Sequence, residues 1–188
     1  MITLITMTKN QLRQKFANLT TNKSLAIKNN FFNSFDLSEI QKLHVFLPIS
    51  QEINTWLIIK EIFQNYPNIS IVTSKSNLQN YTMESYYLDK NTQLENNRWN
   101  IPEPINARKC LDEEIDMILL PLLAFDQRGF RVGYGKGFYD RFLLKCHQDI
   151  IKIGLSKFEP VDQIDDINEY DIKMDFCVMA EHIWVFNK

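Results

Sequence analysis

The sequence predicts an α/β fold built on a mainly parallel sheet, and three observations carry that prediction. Short β-branched or apolar runs alternate with amphipathic helical stretches, as in strands joined by helical crossovers. One run, residues 115–120 (IDMILL), is apolar enough to be a strand buried on both faces. Glycine is scarce, with 5 in 188 residues where usual usage gives roughly 13, yet Gly129, Gly133, Gly135 and Gly137 crowd the connection from that run to the next helical stretch. No repeat and no Ser/Gly-rich or Pro-rich linker divides the chain, so one domain over residues 1–188 is expected.

In order along the chain, Leu12, Phe16 and Leu19 recur at helical spacing after Thr8, with Lys9, Arg13 and Lys15 off that stripe. A second amphipathic helix is expected over residues 20–35. Residues 42–47 (KLHVFL) read as a strand ended by Pro48. Ser50 is placed to cap a helix carrying Ile53, Leu57, Ile58 and Ile62, with Glu52 in its first turn. Residues 69–73 (ISIVT) and 81–88 read as strands. Around Trp99, Ile101, Pro102, Glu103 and Pro104, regular structure is not expected, because each proline forces its predecessor out of the helical region. After the strand at 115–120 and the glycine loop comes a helix over about 138–145 with Phe138, Tyr139, Phe142 and Leu143 on one face. Strands are expected at 150–155 and 176–180, with a last one at 184–186.

Composition narrows the function. A net charge of −2 and a pI near 5.9 lack the basic excess expected of a nucleic-acid binder. Cys110, Cys146 and Cys177 are odd in number and far apart, which fits neither a disulfide framework nor a C-x-x-C site and points to a reducing compartment. The longest apolar run, 117–125, is too short to span a bilayer, and the first residues lack the pattern of a secretory signal. A cytoplasmic protein with no membrane or nucleic-acid partner is expected. His44, His147 and His182 show no ligand spacing.

The glycine loop is where chemistry is expected. Ligands of open α/β sheets bind outside the carboxyl ends of strands. Alternating Gly133, Gly135 and Gly137 allow successive amides to face one centre, an anion nest beside Lys136 and Arg131. The pattern is neither a Walker loop nor a dinucleotide fingerprint, since Phe138 stands where the latter needs glycine. Asp140, in the first turn of the next helix, either complements its dipole or holds Mg²⁺, which usually takes one or two carboxylates plus phosphate and water oxygens.

The stretch LPLLAFDQRGFRVGYGKGFYDRFL, Leu120 to Leu143, resembles the signature of the 5-formyltetrahydrofolate cyclo-ligases. Four further segments resemble that family in order: Lys9-Asn10-Gln11-Leu12-Arg13, FLPISQEI from Phe46, WNIPEP from Trp99, and NEYDIKMD from Asn168. Phe46 and Phe138 stand where the family often has tyrosine. The resemblance implies an open three-layer α/β/α fold like that of ribose-phosphate isomerases and CoA transferases. It implies ATP- and Mg²⁺-dependent closure of 5-formyltetrahydrofolate to 5,10-methenyltetrahydrofolate with release of ADP and phosphate. It implies ATP contacts from Lys9, Asn10, Gln11, Leu12 and Arg13 and from Arg131, Val132, Gly133, Tyr134, Gly135, Lys136, Gly137, Phe138 and Tyr139, with Lys136 and Arg131 catalytic. Leu47, Glu52 and Trp99, with Tyr134 to Phe138, would hold the folate; Asp140 and Asp171 would ligate Mg²⁺. A monomer acting on these two small molecules is expected. The rival readings are a non-catalytic nucleotide- or folate-binding module and a sugar-phosphate isomerase on the same fold, the latter having no need of Lys136 beside a metal carboxylate.

Overall fold

In the computed structural model, residues 6–19, 21–49 and 51–186 are described. Chain order runs Thr6–Met7 (β1), Lys9–Phe16 (α1), Ser24–Ser34 (α2), Lys42–His44 (β2), Trp56–Asn65 (α3), Ser70–Asn77 (β3), Thr82–Leu88 (β4), Gln93–Asn96 (β5) and Pro102–Ile105 (β6). It continues through Met117–Leu120 (β7), Ala124–Phe125 (β8), Arg131–Val132 (β9), Phe138–Leu143 (α4), Ile151–Leu155 (β10), Gln163–Ile164 (β11), Phe176–Val178 (β12) and Ile183–Val185 (β13).

A seven-stranded sheet has the order β13-β12-β10-β7-β2-β3-β4. Its five inner strands are parallel, but β4 and β13 pair antiparallel at the two edges. The sheet is therefore mixed: each edge strand follows its neighbour through a short turn, and a short turn reverses the chain. Alternation along β7 sorts the core into layers. Met117 and Leu119 pack with Ile27 and Phe31 of α2 and Ile58, Ile59 and Ile62 of α3. Ile118 and Leu120 pack with Phe142 and Leu143 of α4 on the opposite face. A smaller cluster joins Leu12 and Phe16 of α1 to Val132 and Ile164.

Several expectations are corrected. Helix α1 stops at Phe16, so Leu19 lies past its end and is exposed. Helix α2 starts at Ser24; Thr20 lies outside the described residues, as does Ser50. Helix α3 begins only after Thr55, whose hydroxyl donates to the Phe46 carbonyl at 2.6 Å, so Glu52 is not in a helical first turn. The proline segment is regular after all. Pro102–Ile105 pairs antiparallel with β5 in a two-stranded ribbon, where proline's fixed φ suits extended backbone and a missing N–H is tolerated at an edge. The glycine-rich connection also contains structure: β8 and β9 form a hairpin whose turn carries Gly129 at φ 91° with Phe186 packed against it. Gly129 thus serves the hairpin and not the nest.

Candidate active site

From β2 the chain moves one way through α3 to β3; from β7 it moves the other way through α4 to β10. The order reverses between β2 and β7, and the crevice beyond the carboxyl ends of such a pair is the usual ligand site of an open α/β sheet. A cleft of about 810 Å³ lies there, bordered by Phe46 and Leu47 beyond β2, Thr73 and Ser74 of β3, and Pro121 beyond β7.

One wall is the glycine loop. Gly135 and Gly137 adopt left-handed φ of 98° and 64°, which only glycine enters without strain, and Arg13 and Arg141 stand where their side chains would begin. Gly133 needs no such freedom, but its carbonyl accepts from Arg13 Nε at 2.9 Å. Helix α1 supplies that arginine because Thr8 and Gln11 form a capping box that fixes its start. Lys9, in its first turn, reaches Asp171 at 2.7 and 2.6 Å to the two carboxylate oxygens. Lys9 and Arg13 line the cleft. The side chain of Gln11 is spent in the cap and Leu12 is fully buried in the core, so of the five-residue segment only the two basic residues face the cleft; Asn10 is exposed. Val132 also points into the core.

Arg131 is buried and donates to the Ile172 carbonyl at 2.7 Å and to Asp140 Oδ1 at 2.8 Å. Burial lowers its pKa, and Asp140 acts against that shift. Asp140 Oδ1 also accepts from Ile172 N at 3.2 Å. This knot ties α4 to the segment carrying Asp171, bringing together two carboxylates that are distant in sequence. Among the described residues no group of three or more His, Cys, Asp or Glu side chains could cage a metal. Two carboxylates beside the glycine loop suit Mg²⁺, which draws its other ligands from phosphate and water, once Lys9 releases the two Asp171 oxygens that it holds.

The other wall is less polar. Phe46 and Leu47 are buried, and Trp99 is half-exposed with its ring edge-on to Phe138 at 6.0 Å. Glu52 Oε2 accepts from Ile49 N at 2.9 Å. Burial pushes Glu52 up to about 7, against the pull of that bond, of the nearby Tyr134 hydroxyl and of Lys157. Tyr134 and Tyr139 are in turn raised by burial and by the charge of Glu52.

Sequence reasoning missed three contributors. Lys157, outside every motif, donates to the Gln51 carbonyl at 2.6 Å and so holds the turn of Glu52. Tyr81 arrives from the β3–β4 turn to meet Lys136 at 5.4 Å and Phe138 at 5.8 Å. Arg141 binds the Tyr81 carbonyl at 3.1 Å; it was visible inside the FYDRFL run, whereas nothing local marks Tyr81 or Lys157.

Residues 6–180 match the sequence pattern of the 5-formyltetrahydrofolate cyclo-ligase family. The 5-formyltetrahydrofolate cyclo-ligase of Mus musculus is 28% identical over 178 residues, covering 89% of this chain and 87% of the relative. The probable cyclo-ligase of Schizosaccharomyces pombe is 34% identical over 148 residues, 71% of each chain. Among solved structures, the 5,10-methenyltetrahydrofolate synthetase of Aquifex aeolicus superposes with TM-score 0.79 at 23% identity over 97% of this chain and 94% of that one. The Mycoplasma pneumoniae synthetase does so at 0.68 and 22% identity, over 92% and 98%. A family pattern spanning nearly the whole chain, on a fold shared with solved synthetases, places this chain in the 5-formyltetrahydrofolate cyclo-ligase family.

Proposed function

We propose a division of labour within the cleft for the family's reaction, the ATP- and Mg²⁺-dependent conversion of 5-formyltetrahydrofolate to 5,10-methenyltetrahydrofolate, which this chain catalyses. The formyl oxygen is a poor leaving group. Transfer of the γ-phosphoryl group makes an oxygen–phosphorus bond at the formyl oxygen and releases ADP. The N10 lone pair then bonds the formyl carbon, N10 gives up its proton, and phosphate departs with the former formyl oxygen. The conjugated methenyl cation remains. Such a transfer asks the protein mainly for position and charge.

Lys136 and Arg13 would meet the phosphates over the glycine loop, with Lys9 joining them once it leaves Asp171, and Arg131 acts by holding Asp140. Asp140 and Asp171 hold Mg²⁺, which when bound offsets phosphate charge. Asp140 is suited to this because its protein hydrogen bonds run through Oδ1. Leu47, Glu52 and Trp99 hold the folate, the protonated and ionised forms of Glu52 lying close in energy near neutrality. Residues 1–188 act as one domain, in the open three-layer arrangement of ribose-phosphate isomerases and CoA transferases, and the protein works as a monomer. The observation that carries this reading is the convergence of the glycine loop, two basic residues and two carboxylates on one cleft with a hydrophobic second wall.

Purified protein given 5-formyltetrahydrofolate and MgATP is expected to develop the near-ultraviolet absorbance of the methenyl product. Absence of ATP-dependent product from a folded sample that still binds either ligand would instead identify a binding module.

A further inference from the structure

The glycine loop is gripped from two sides, and only one side belongs to the expected nucleotide contacts. Arg13 takes the carbonyl of Gly133. At the other end, Arg141 Nη2 donates to the Lys136 carbonyl while its Nε donates to the Tyr81 carbonyl at 3.1 Å. Each guanidinium fills the space a side chain would need, Arg13 Cζ 3.2 Å from a Cβ at Gly135 and Arg141 Nη1 3.3 Å from one at Gly137. Tyr81 is one of the described non-glycine residues with left-handed backbone, at φ 57°, a conformation that persists only where surrounding contacts fix it. Those contacts are the loop itself: the Tyr81 ring meets Lys136 Nζ at 5.4 Å, Arg141 Cζ at 5.8 Å and the edge of Phe138 at 5.8 Å.

We propose that Arg141 and Tyr81 are positioning residues for the nucleotide half of the cleft, a clamp that fixes where the glycine loop presents Lys136. Arg141 spends its fork on two backbone carbonyls, so its role is geometric rather than that of another phosphate cation. A guanidinium can bridge two acceptors in one plane, which a lysine ammonium on a flexible stem does not reproduce. Tyr81 contributes its carbonyl and ring face, and among the described residues no hydrogen bond uses its hydroxyl. The inference rests on the cyclo-ligase reading for the identity of the ligand, and its test separates the two.

Steady-state kinetics of Arg141→Met, Arg141→Lys, Tyr81→Ala and Tyr81→Phe decide the matter. Both Arg141 variants are expected to lower kcat/KM for MgATP by about tenfold or more, while KM for 5-formyltetrahydrofolate stays within about threefold. Tyr81→Phe, which keeps the ring and the carbonyl, should retain more of that efficiency than Tyr81→Ala. Tyr81→Ala should lose part of the same efficiency, and combined with Arg141→Met it should fall short of the product of the two losses, as coupled neighbours do. Parent-like kinetics in Arg141→Lys would overturn the clamp in favour of simple charge, and equal losses on both substrates would overturn it in favour of general destabilisation. Should the parent protein turn out to have no turnover, the reaction assignment fails and the clamp is read from ADP affinity by calorimetry. A loss of about tenfold in Arg141→Met then supports it, and unchanged affinity overturns it.

Discussion

Lys136 carries most of the chemistry assigned to any one side chain, and its surroundings explain how it stays available. It stands on the exposed loop with its ammonium over the Tyr81 ring and forms no ion pair with a carboxylate among the described residues, whereas Lys9 is committed to Asp171. Lys136→Ala is expected to lower kcat/KM for ATP by about 10²-fold, the usual loss when one charge-stabilising donor is removed. Lys60→Ala, on the exposed side of α3, should change it less than twofold. Comparable losses in the two variants would mean the phosphates lie elsewhere. Lys157 would be a poor comparison, because it holds the turn of Glu52. Asp140→Asn keeps an acceptor for Arg131 but gives up the charge, so the Mg²⁺ concentration for half-maximal activity should rise several-fold. A magnesium titration indistinguishable from the parent's would leave Asp140 as a helix-terminus and Arg131 partner only.

At the scale of elements, the loop is aimed by the hairpin beneath it. Asp126 is fully buried in that hairpin. Its Oδ1 accepts from Arg128 N and Phe130 N at 3.0 and 3.1 Å, and its Oδ2 from Arg128 Nε and Nη2 and Ile164 N at 2.9, 2.6 and 3.1 Å. Asp126→Ala strands the backbone N–H donors of Arg128, Phe130 and Ile164 and should cost about 2–4 kcal/mol in denaturant unfolding, the cost of buried donors left unpaired, with little from the solvent-exposed Arg128. A loss under about 1 kcal/mol would show that the β8–β9 pairing stands without it. Most main strands and helices were legible because each shows a periodic apolar face: β7, β10 and α4 fall close to where the pattern puts them. The two-residue pairings β1–β11 and β8–β9 were not, since two residues hold no period. The β6 ribbon was missed for a different reason. Its stability comes from β5 and from Glu103, whose Oε1 accepts from Ser76 N and Asn97 Nδ2, each at 2.8 Å, and these partners outweigh the proline signal.

Across the whole molecule, the buried His44 and the partly buried Glu52 set opposing slopes of stability with pH. Burial raises Glu52 from 4.5 to about 7, so between those values the folded chain holds a proton that the unfolded chain has released. Stability is lost as pH rises through that window. Burial lowers His44 from 6.5 to about 3, with its Nε2 on Ser74 Oγ at 2.6 Å and its Nδ1 without a partner among the described residues. There the unfolded chain binds the extra proton, so stability is lost as pH falls. The contributions oppose one another where the windows overlap. Glu52→Gln leaves the His44 slope alone, and its Tm should climb steadily over that overlap, with less decline than the parent above it. Calorimetric melts across the range measure this; parallel profiles for parent and variant would show that Glu52 titrates normally in the folded chain.

By itself the sequence determined the α/β class, the glycine loop as the place of chemistry and, through its motifs, the family, because local propensity, apolar period and contiguous signatures are written in neighbouring residues. Among the described residues no helix is long and apolar enough to cross a membrane. Only the tertiary structure decided that the sheet ends antiparallel at both edges, that Gly129 serves a hairpin, and that Asp171 meets Lys9 across 162 positions of chain. It also brought Lys157 to Glu52 and Tyr81 to Lys136. Such pairings are made by strand order and packing, which fix distances between residues that no local pattern relates.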